Sequence, residues 1–269
     1  MKKNLYIFRN YFSYISSKQK IILFILCIFL TSSFILAFLK GGFSISLIKF
    51  LNLDFSPIEN EVLLKIRFPR VILAFFVGSA LGIVGATLQG LFRNPLADPG
   101  LIGVSAGAAL GAVFSIVLIN ELLSVSFLGS FLLPLSSIIG SLFTIILLYS
   151  ITRGFGYEGI TYMLLIGIAI NALATVGIGF LTYISNESQL RGLTFWMMGS
   201  FGNSTWSLVI PAIIIIFISI LCLLPYSRQL DLIQLGELEA ERLGIDIKKL
   251  KLHVILSCAL MTGASVSIS

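Results

Sequence analysis

The residues of this sequence that could do chemistry are few, and their spacing withholds most of the usual options. His253 is the one histidine, and it stands at the edge of an apolar stretch with no cysteine, carboxylate or second imidazole at metal-ligand spacing. Cys27, Cys222 and Cys258 lie singly in apolar runs, which argues for buried free thiols and against a disulfide framework or a zinc site. No Gly-Lys pair occurs anywhere, so the chain has no P-loop with which to hold ATP. No catalytic set and no metal site emerge. An enzyme is not the expected reading.

Two charged segments remain. Arg93-Asn94-Pro95-Leu96-Ala97-Asp98-Pro99-Gly100 combines two helix-stopping prolines with an aspartate placed to cap a helix starting at Pro99. That composition spells a tight, stiff turn. The segment from Leu230 to Gly244 carries Asp231, Glu237, Glu239 and Glu241, followed by Asp246, against Arg228, Arg242 and the Lys248, Lys249, Lys251 cluster. Leu235, Leu238, Ala240 and Leu243 give part of an apolar face at helical spacing, so a short amphipathic helix ending at Gly244 is expected. A solvated linker helix and a docking helix for a partner explain these residues equally well.

The elements that hold these segments follow from where charge is absent. Of 269 residues, 57% are hydrophobic and 11% charged, and the mean hydropathy is +1.04, whereas soluble domains are ~25% charged. Seven stretches lack Asp, Glu, Lys and Arg altogether: Ile21–Leu39, Val71–Phe92, Pro99–Asn120, Leu122–Thr152, Gly159–Asn186, Gly192–Ser227 and Leu252–Ser269. Each approaches or exceeds the ~20 residues that cross a bilayer as helix. An all-α, polytopic transmembrane bundle of about seven spans follows, and a soluble enzyme, a disordered chain and a β-barrel are excluded. The same absence of charge argues against an ion-coupled carrier or a proton relay.

The loops on the N-terminal side, including residues 93–98 and 228–251, hold 12 of the 18 Lys+Arg, which places that side in the cytoplasm. The net charge of +6 then belongs to loops flanking a lipid bilayer, and no nucleic-acid partner is indicated. Gly78, Gly82, Ala86 and Gly90 recur every four residues, and Gly103, Gly107 and Gly111 repeat the spacing. Such ridges let helices approach closely in lipid, and some of these glycines are alternatively suited to lining a passage.

Several runs carry a resemblance. Ile66-Arg67-Phe68-Pro69-Arg70, Gly85-Ala86-Thr87-Leu88-Gln89-Gly90 and the stretch from Arg93 to Ala108 resemble the FecCD-type permeases. These are the membrane subunits of ABC importers for iron–siderophore, haem and cobalamin. Leu164 to Ala169, Phe195 to Gly202 and Leu235 to Gly244 fit the same family in the same order, and the likeness runs from about Ile21 to the last residue.

The resemblance implies a homodimer or close heterodimer of permease subunits with the path between them. Cytoplasmic ATPase subunits would bind ATP and magnesium, leaving no cofactor in this chain, and an extracytoplasmic substrate-binding protein would deliver cargo. Gly236, Glu237, Ala240, Leu243 and Gly244 would be contacts of a helix coupled to the ATPase. Asn94 and Leu96 fall at the family's cytoplasmic gate. Ile160 and Thr161 fall at a second gate, although Tyr157-Glu158-Gly159-Ile160-Thr161 lacks the family's Ser/Thr-rich run. Arg67 and Arg70 would meet the binding protein, with interfacial anchoring as the alternative for both and docking preferred for Arg67.

A single permease domain over residues 1–269 in the bacterial cytoplasmic (inner) membrane is expected, with iron–siderophore as cargo and haem or cobalamin as alternatives. Family members have ten spans and continue into a Gly-x-Ile-x-Phe-Val-Gly-Leu-Ile-x-Pro-His segment. This chain is therefore expected to be C-terminally incomplete by about three spans, as a fragment or as the product of a truncated gene. An ATP-independent carrier and a non-transporting remnant are the readings from other classes.

Overall fold

The computed structural model describes residues 16–42, 45–52, 54–119, 129–152 and 159–269, and every regular element among them is helical. The chain divides into two compact units, residues 1–71 and 72–269.

The first unit opens with α1 (Ser17–Leu39). A capping box starts it: Gln19 N–H donates to Ser16 Oγ at 3.3 Å, and Ser16 N–H donates to Gln19 Oε1 at 2.9 Å. None of its side chains is buried, and it is apolar all round, the character of a helix bathed in lipid. After α2 (Leu47–Asn52), α3 (Pro57–Glu61) repeats the box with Ser56 and Glu59. A π turn over Val62–Arg67 leads into α4 (Phe68–Phe92), which from Ile72 onward belongs to the second unit.

The second unit continues with α5 (Val104–Phe114), prolonged by a π turn over Ser115–Ile119, then α6 (Leu132–Thr152) and α7 (Gly159–Ile184). The amphipathic α8 (Glu187–Met197) precedes α9 (Trp206–Leu223), α10 (Ser227–Leu232), α11 (Glu237–Arg242) and α12 (Ile247–Val266). α12 is the centre of this unit, because 67% of its apolar window is buried, against 22% for α7 and 28% for α6. Helices in lipid gain little by meeting through large apolar side chains, so tight contact falls where residues are small. α5 crosses α6 in this way. A Cβ on Gly107 would lie 2.8 Å from the Gly140 carbonyl oxygen, and one on Gly111 would collide with the Ser136 carbonyl. Ser141 extends the seam to α12, donating to the Ile138 carbonyl at 2.8 Å and to the Ala259 carbonyl at 3.4 Å.

Six helices among the described residues are long and apolar enough to cross a membrane, so the chain is a polytopic helical bundle. Three of the expected stretches differ from their helices. Among the described residues the stretch from Pro99 gives a helix over Val104–Ile119, about 24 Å at ~1.5 Å per residue, and residues 120–128 lie outside the described residues. Asp98 does not cap it. Its Oδ1 accepts from Gly100 N–H at 2.7 Å, closing a local turn, and the helix starts only after Gly103 has taken a left-handed φ of +79°. The stretch from Gly192 holds the end of α8 as well as α9, because Asn186 and Gln189 form a separate capping box that starts α8. The stretch from Leu252 begins earlier, at Ile247 on an Asp246 cap, and this draws Lys248, Lys249 and Lys251 into α12. Cys258 is buried, whereas Cys27 and Cys222 are exposed on the single chain. His253 is exposed and stacks on Tyr226 with ring centroids 5.1 Å apart.

Candidate functional site

The acidic segment folds into a helix, and its faces differ from those expected. α10 runs into a 3-10 turn over Ile233–Leu235, Gly236 takes φ +113°, and α11 follows. α11 ends in a Schellman motif. Ile245 N–H donates to the Ala240 carbonyl at 3.1 Å, Gly244 N–H donates to the Glu241 carbonyl at 2.9 Å, and Gly244 sits at φ +88°. Ala240 and Ile245 both belong to the main apolar cluster, which supplies the hydrophobic contact that accompanies this motif.

Helical spacing then sorts the segment into two faces. Ile233, Glu237 and Ala240 are buried, whereas Leu235, Leu238 and Leu243 are 63%, 51% and 58% exposed, with Glu239, Glu241 and Arg242 around them. A leucine patch rimmed by charge has the composition of a docking surface. Glu237 and Ala240, placed among the partner contacts by the resemblance, are turned inward.

Glu237 instead makes a buried ion pair. Its Oε2 accepts from Lys251 Nζ at 2.7 Å, with side chains 4% and 10% exposed, and so ties α11 to the opening turns of α12. By its charge Lys251 belongs only to a basic cluster in the sequence, although a signal for its burial is present. Leu250, Lys251, Val254, Ile255 and Cys258 recur at helical spacing, which puts the lysine on the buried face. The Arg242–Glu239 and Lys249–Asp246 pairs lie at the surface, where such pairs contribute little. The Lys249 backbone N–H, then its ammonium, hold the Asp246 carboxyl below the usual aspartate value.

The proline-rich turn lies against this segment. Gln234 Nε2 donates to the Gly90 carbonyl at 2.6 Å, and a Cβ on Gly236 would stand 3.8 Å from Arg93 Nη1. The two charged segments that charge counting put on one side of the membrane are thus in contact.

Over residues 21–269 the chain matches the FecCD transport family. It belongs to that family. The hemin transport system permease protein of Yersinia pestis is 41% identical over 229 residues, covering 85% of this chain and 68% of that protein. The vitamin B12 import system permease protein of Vibrio vulnificus is 32% identical, covering 79% of this chain and 62% of that protein. The molybdate import system permease protein of Haemophilus influenzae is also 32% identical, over 81% of this chain and 62% of that protein. This chain therefore spans about two thirds of the length of such relatives. A solved inward-facing conformation of a metal-chelate type ABC transporter is similar with a TM-score of 0.79 at 30% identity, covering 92% of this chain and 75% of that one. These FecCD relatives are transport subunits, not enzymes.

In this FecCD chain the turn that bears Asn94 and Leu96 is fixed from within. Asn94 Oδ1 accepts from Leu96 N–H at 2.9 Å, and the Leu96 side chain is 80% exposed. Ile160 and Thr161 fall at the start of α7, but their side chains lie outside the described residues. Arg67 is buried, and its guanidinium donates to the Phe38 carbonyl, one of the last carbonyls of α1 that the helix cannot satisfy itself. That bond holds Arg67 inside the first unit, whereas Arg70 is exposed. Gly103, Gly107 and Gly111 lie at helix contacts. Among the described residues no atom lies within 4 Å of a Cβ on Gly78 or Gly82, and one on Gly90 would stand 3.8 Å from Gln234 Nε2.

Proposed function

We propose that this FecCD chain is the membrane-spanning permease subunit of an ABC importer that moves haem, with cobalamin as the second cargo. The observation that carries the transport reading is α11, braced on its inner face by Glu237 and Lys251 and offering Leu235, Leu238 and Leu243 outward. A helix presented in this way suits a groove on a cytoplasmic ATPase, where its leucines become anchors. Haem is favoured over the iron–siderophore first expected, because the hemin permease is 41% identical and the vitamin B12 permease 32%.

In this reading ATP and magnesium act in the partner ATPase. Its closure displaces α11, and α12 moves with it through the buried ion pair. α4 follows, and the exposed Leu96 opens or closes against a second permease copy. A substrate-binding protein loads cargo from outside the bacterial cytoplasmic membrane. The test is uptake by vesicles holding the full chain with its ATPase and binding protein. Haem should accumulate only with ATP hydrolysis, and cobalamin more slowly. Uptake that persists without the ATPase would refute the importer in favour of an ATP-independent carrier. Uptake of a ferric siderophore in preference to haem would refute the cargo alone.

A further inference from the structure

We infer that Gln234 is a positioning residue: its side-chain amide latches the α11 segment to the end of α4, so that α11 and the turn bearing Leu96 move as one body. The inference rests on the importer reading, since motion of α11 is what the latch would transmit.

The geometry begins with a helix end. The last four carbonyls of α4 have no partner within the helix, and Gly90 carries one of them. Arg93 closes the helix in the left-handed region at φ +51°, with Arg93 N–H donating to Gly90 at 3.3 Å and Asn94 N–H donating to Gln89 at 3.2 Å. Gln234, 144 positions away in sequence, completes the closure by donating to the same Gly90 carbonyl at 2.6 Å. Its Nε2 has two protons, and the second reaches the Leu230 carbonyl of α10 at 3.3 Å. Both donors of one amide are thereby used, one on α10 and one on α4.

Both ends of this link are stiff. On one side Gly236 N–H donates to the Ile233 carbonyl at 3.0 Å, which closes the 3-10 turn between Gln234 and the first residue of α11. On the other, Ala97 N–H donates to the Asn94 carbonyl at 3.0 Å and Asn94 Oδ1 holds Leu96 N–H, while the Arg93 and Asn94 N–H groups bind this turn to the helix end at Gly90 and Gln89. Two exposed surfaces, the leucines of α11 and Leu96, are joined through this side-chain amide over the apolar cluster that Leu91, Phe92 and Ala97 share with Ile233 and Ala240. The sequence hides this, because a glutamine beside a leucine-rich helix carries no periodic signal.

The experiment compares Gln234→Leu, Gln234→Glu and Gln234→Lys in the assembled vesicles, reading cargo moved per ATP hydrolysed. Leucine removes both donors and glutamate sets an acceptor against a carbonyl, whereas lysine keeps donors and suits the negative helix end. Loss of one hydrogen bond predicts a fall of roughly two- to ten-fold in cargo per ATP for the leucine and glutamate variants. The lysine variant keeps the wild-type ratio, and ATP turnover stays within about two-fold throughout. A second readout does not depend on transport. With Cys27 and Cys222 replaced by serine, a spin label on Leu96→Cys should change its spectrum on ATP addition in wild type and lose that response in Gln234→Leu. Unchanged cargo per ATP in both the leucine and glutamate variants, or a label response that survives in Gln234→Leu, overturns the latch. A wild-type chain that fails to bind the ATPase removes the importer reading itself, an outcome seen before any variant is made.

Discussion

Replacing Lys251 with methionine strands the Glu237 carboxylate inside the protein. At 2.7 Å the pair attracts by about 6 kcal/mol at an effective dielectric of ~20. Against this stands a desolvation cost of several kcal/mol per ion, and Glu237 Oε1 accepts no hydrogen bond among the described residues to lessen it. The intact pair therefore contributes close to nothing net, while breaking it costs about 3–5 kcal/mol. K251M should show that full loss. E237M should sit at its lower end, because the lysine stem can lift its ammonium towards water. The K251M/E237M double variant should recover wild-type stability or exceed it by up to ~4 kcal/mol. Equilibrium unfolding in mixed micelles, followed by the fluorescence of Trp196 and Trp206, gives the three differences, and the cycle isolates the coupling. Single variants within ~0.5 kcal/mol of wild type, or a double variant as damaged as K251M, would refute the buried-strut argument.

Other sites make sharper contrasts. Leu243→Ala should change stability by less than ~0.5 kcal/mol, since the side chain is exposed, yet weaken ATPase binding by ~1.4 kcal/mol, or tenfold, in a micelle titration. Gly111→Val should cost at least ~1–3 kcal/mol by driving the helix against the Ser136 carbonyl, whereas Gly82→Ala, facing open space, should stabilise the isolated chain by ~0.5–1 kcal/mol, both read by unfolding. Gly244→Ala should lose ~1–2 kcal/mol through its left-handed φ, with Gly244→Asn recovering part of it in the same assay. For Asp246 the folded carboxyl titrates lower than the unfolded one, so its stabilisation is complete above the ordinary value of ~3.9 and disappears as pH falls through the lowered value. The stability difference between wild type and D246N, read by unfolding across acid pH, should shrink as pH falls through that range, since Glu59 and Glu61 titrate low in both.

The spans were legible because charge is excluded from lipid-facing helix, and simple gaps between charged residues located most of them. The errors arise where a residue's environment is set by something distant. Lys251 marked a loop by its charge, yet the Asp246 cap draws it into α12 and Glu237 neutralises it on the buried face. Asp98 and Pro99 carry the composition of a helix start, but the Asp98–Gly100 turn satisfies the cap locally and passes the start to Gly103. Arg67 looks like a surface arginine until the end of α1 presents the Phe38 carbonyl. In α11 the leucine face was readable from spacing, whereas the inward turn of Glu237 depended on a partner in the next helix. The Gln234 bond to Gly90 joins residues too far apart for any local pattern to announce.

The lysines at the head of α12 also bear on how the protein is made. Glu237 precedes Lys251 by 14 residues and so leaves the ribosome first, but it can neutralise the lysine only once α11 has folded back. Until then Lys248, Lys249 and Lys251 form an uncompensated cationic cluster at the mouth of a membrane helix, the feature that retains a flanking segment in the cytoplasm during insertion. By the positive-inside rule Lys251 would serve first as an orientation signal in the nascent chain and later as a neutralised cross-brace. A variant that tolerates loss of the brace in the finished protein could still enter the bilayer the wrong way round.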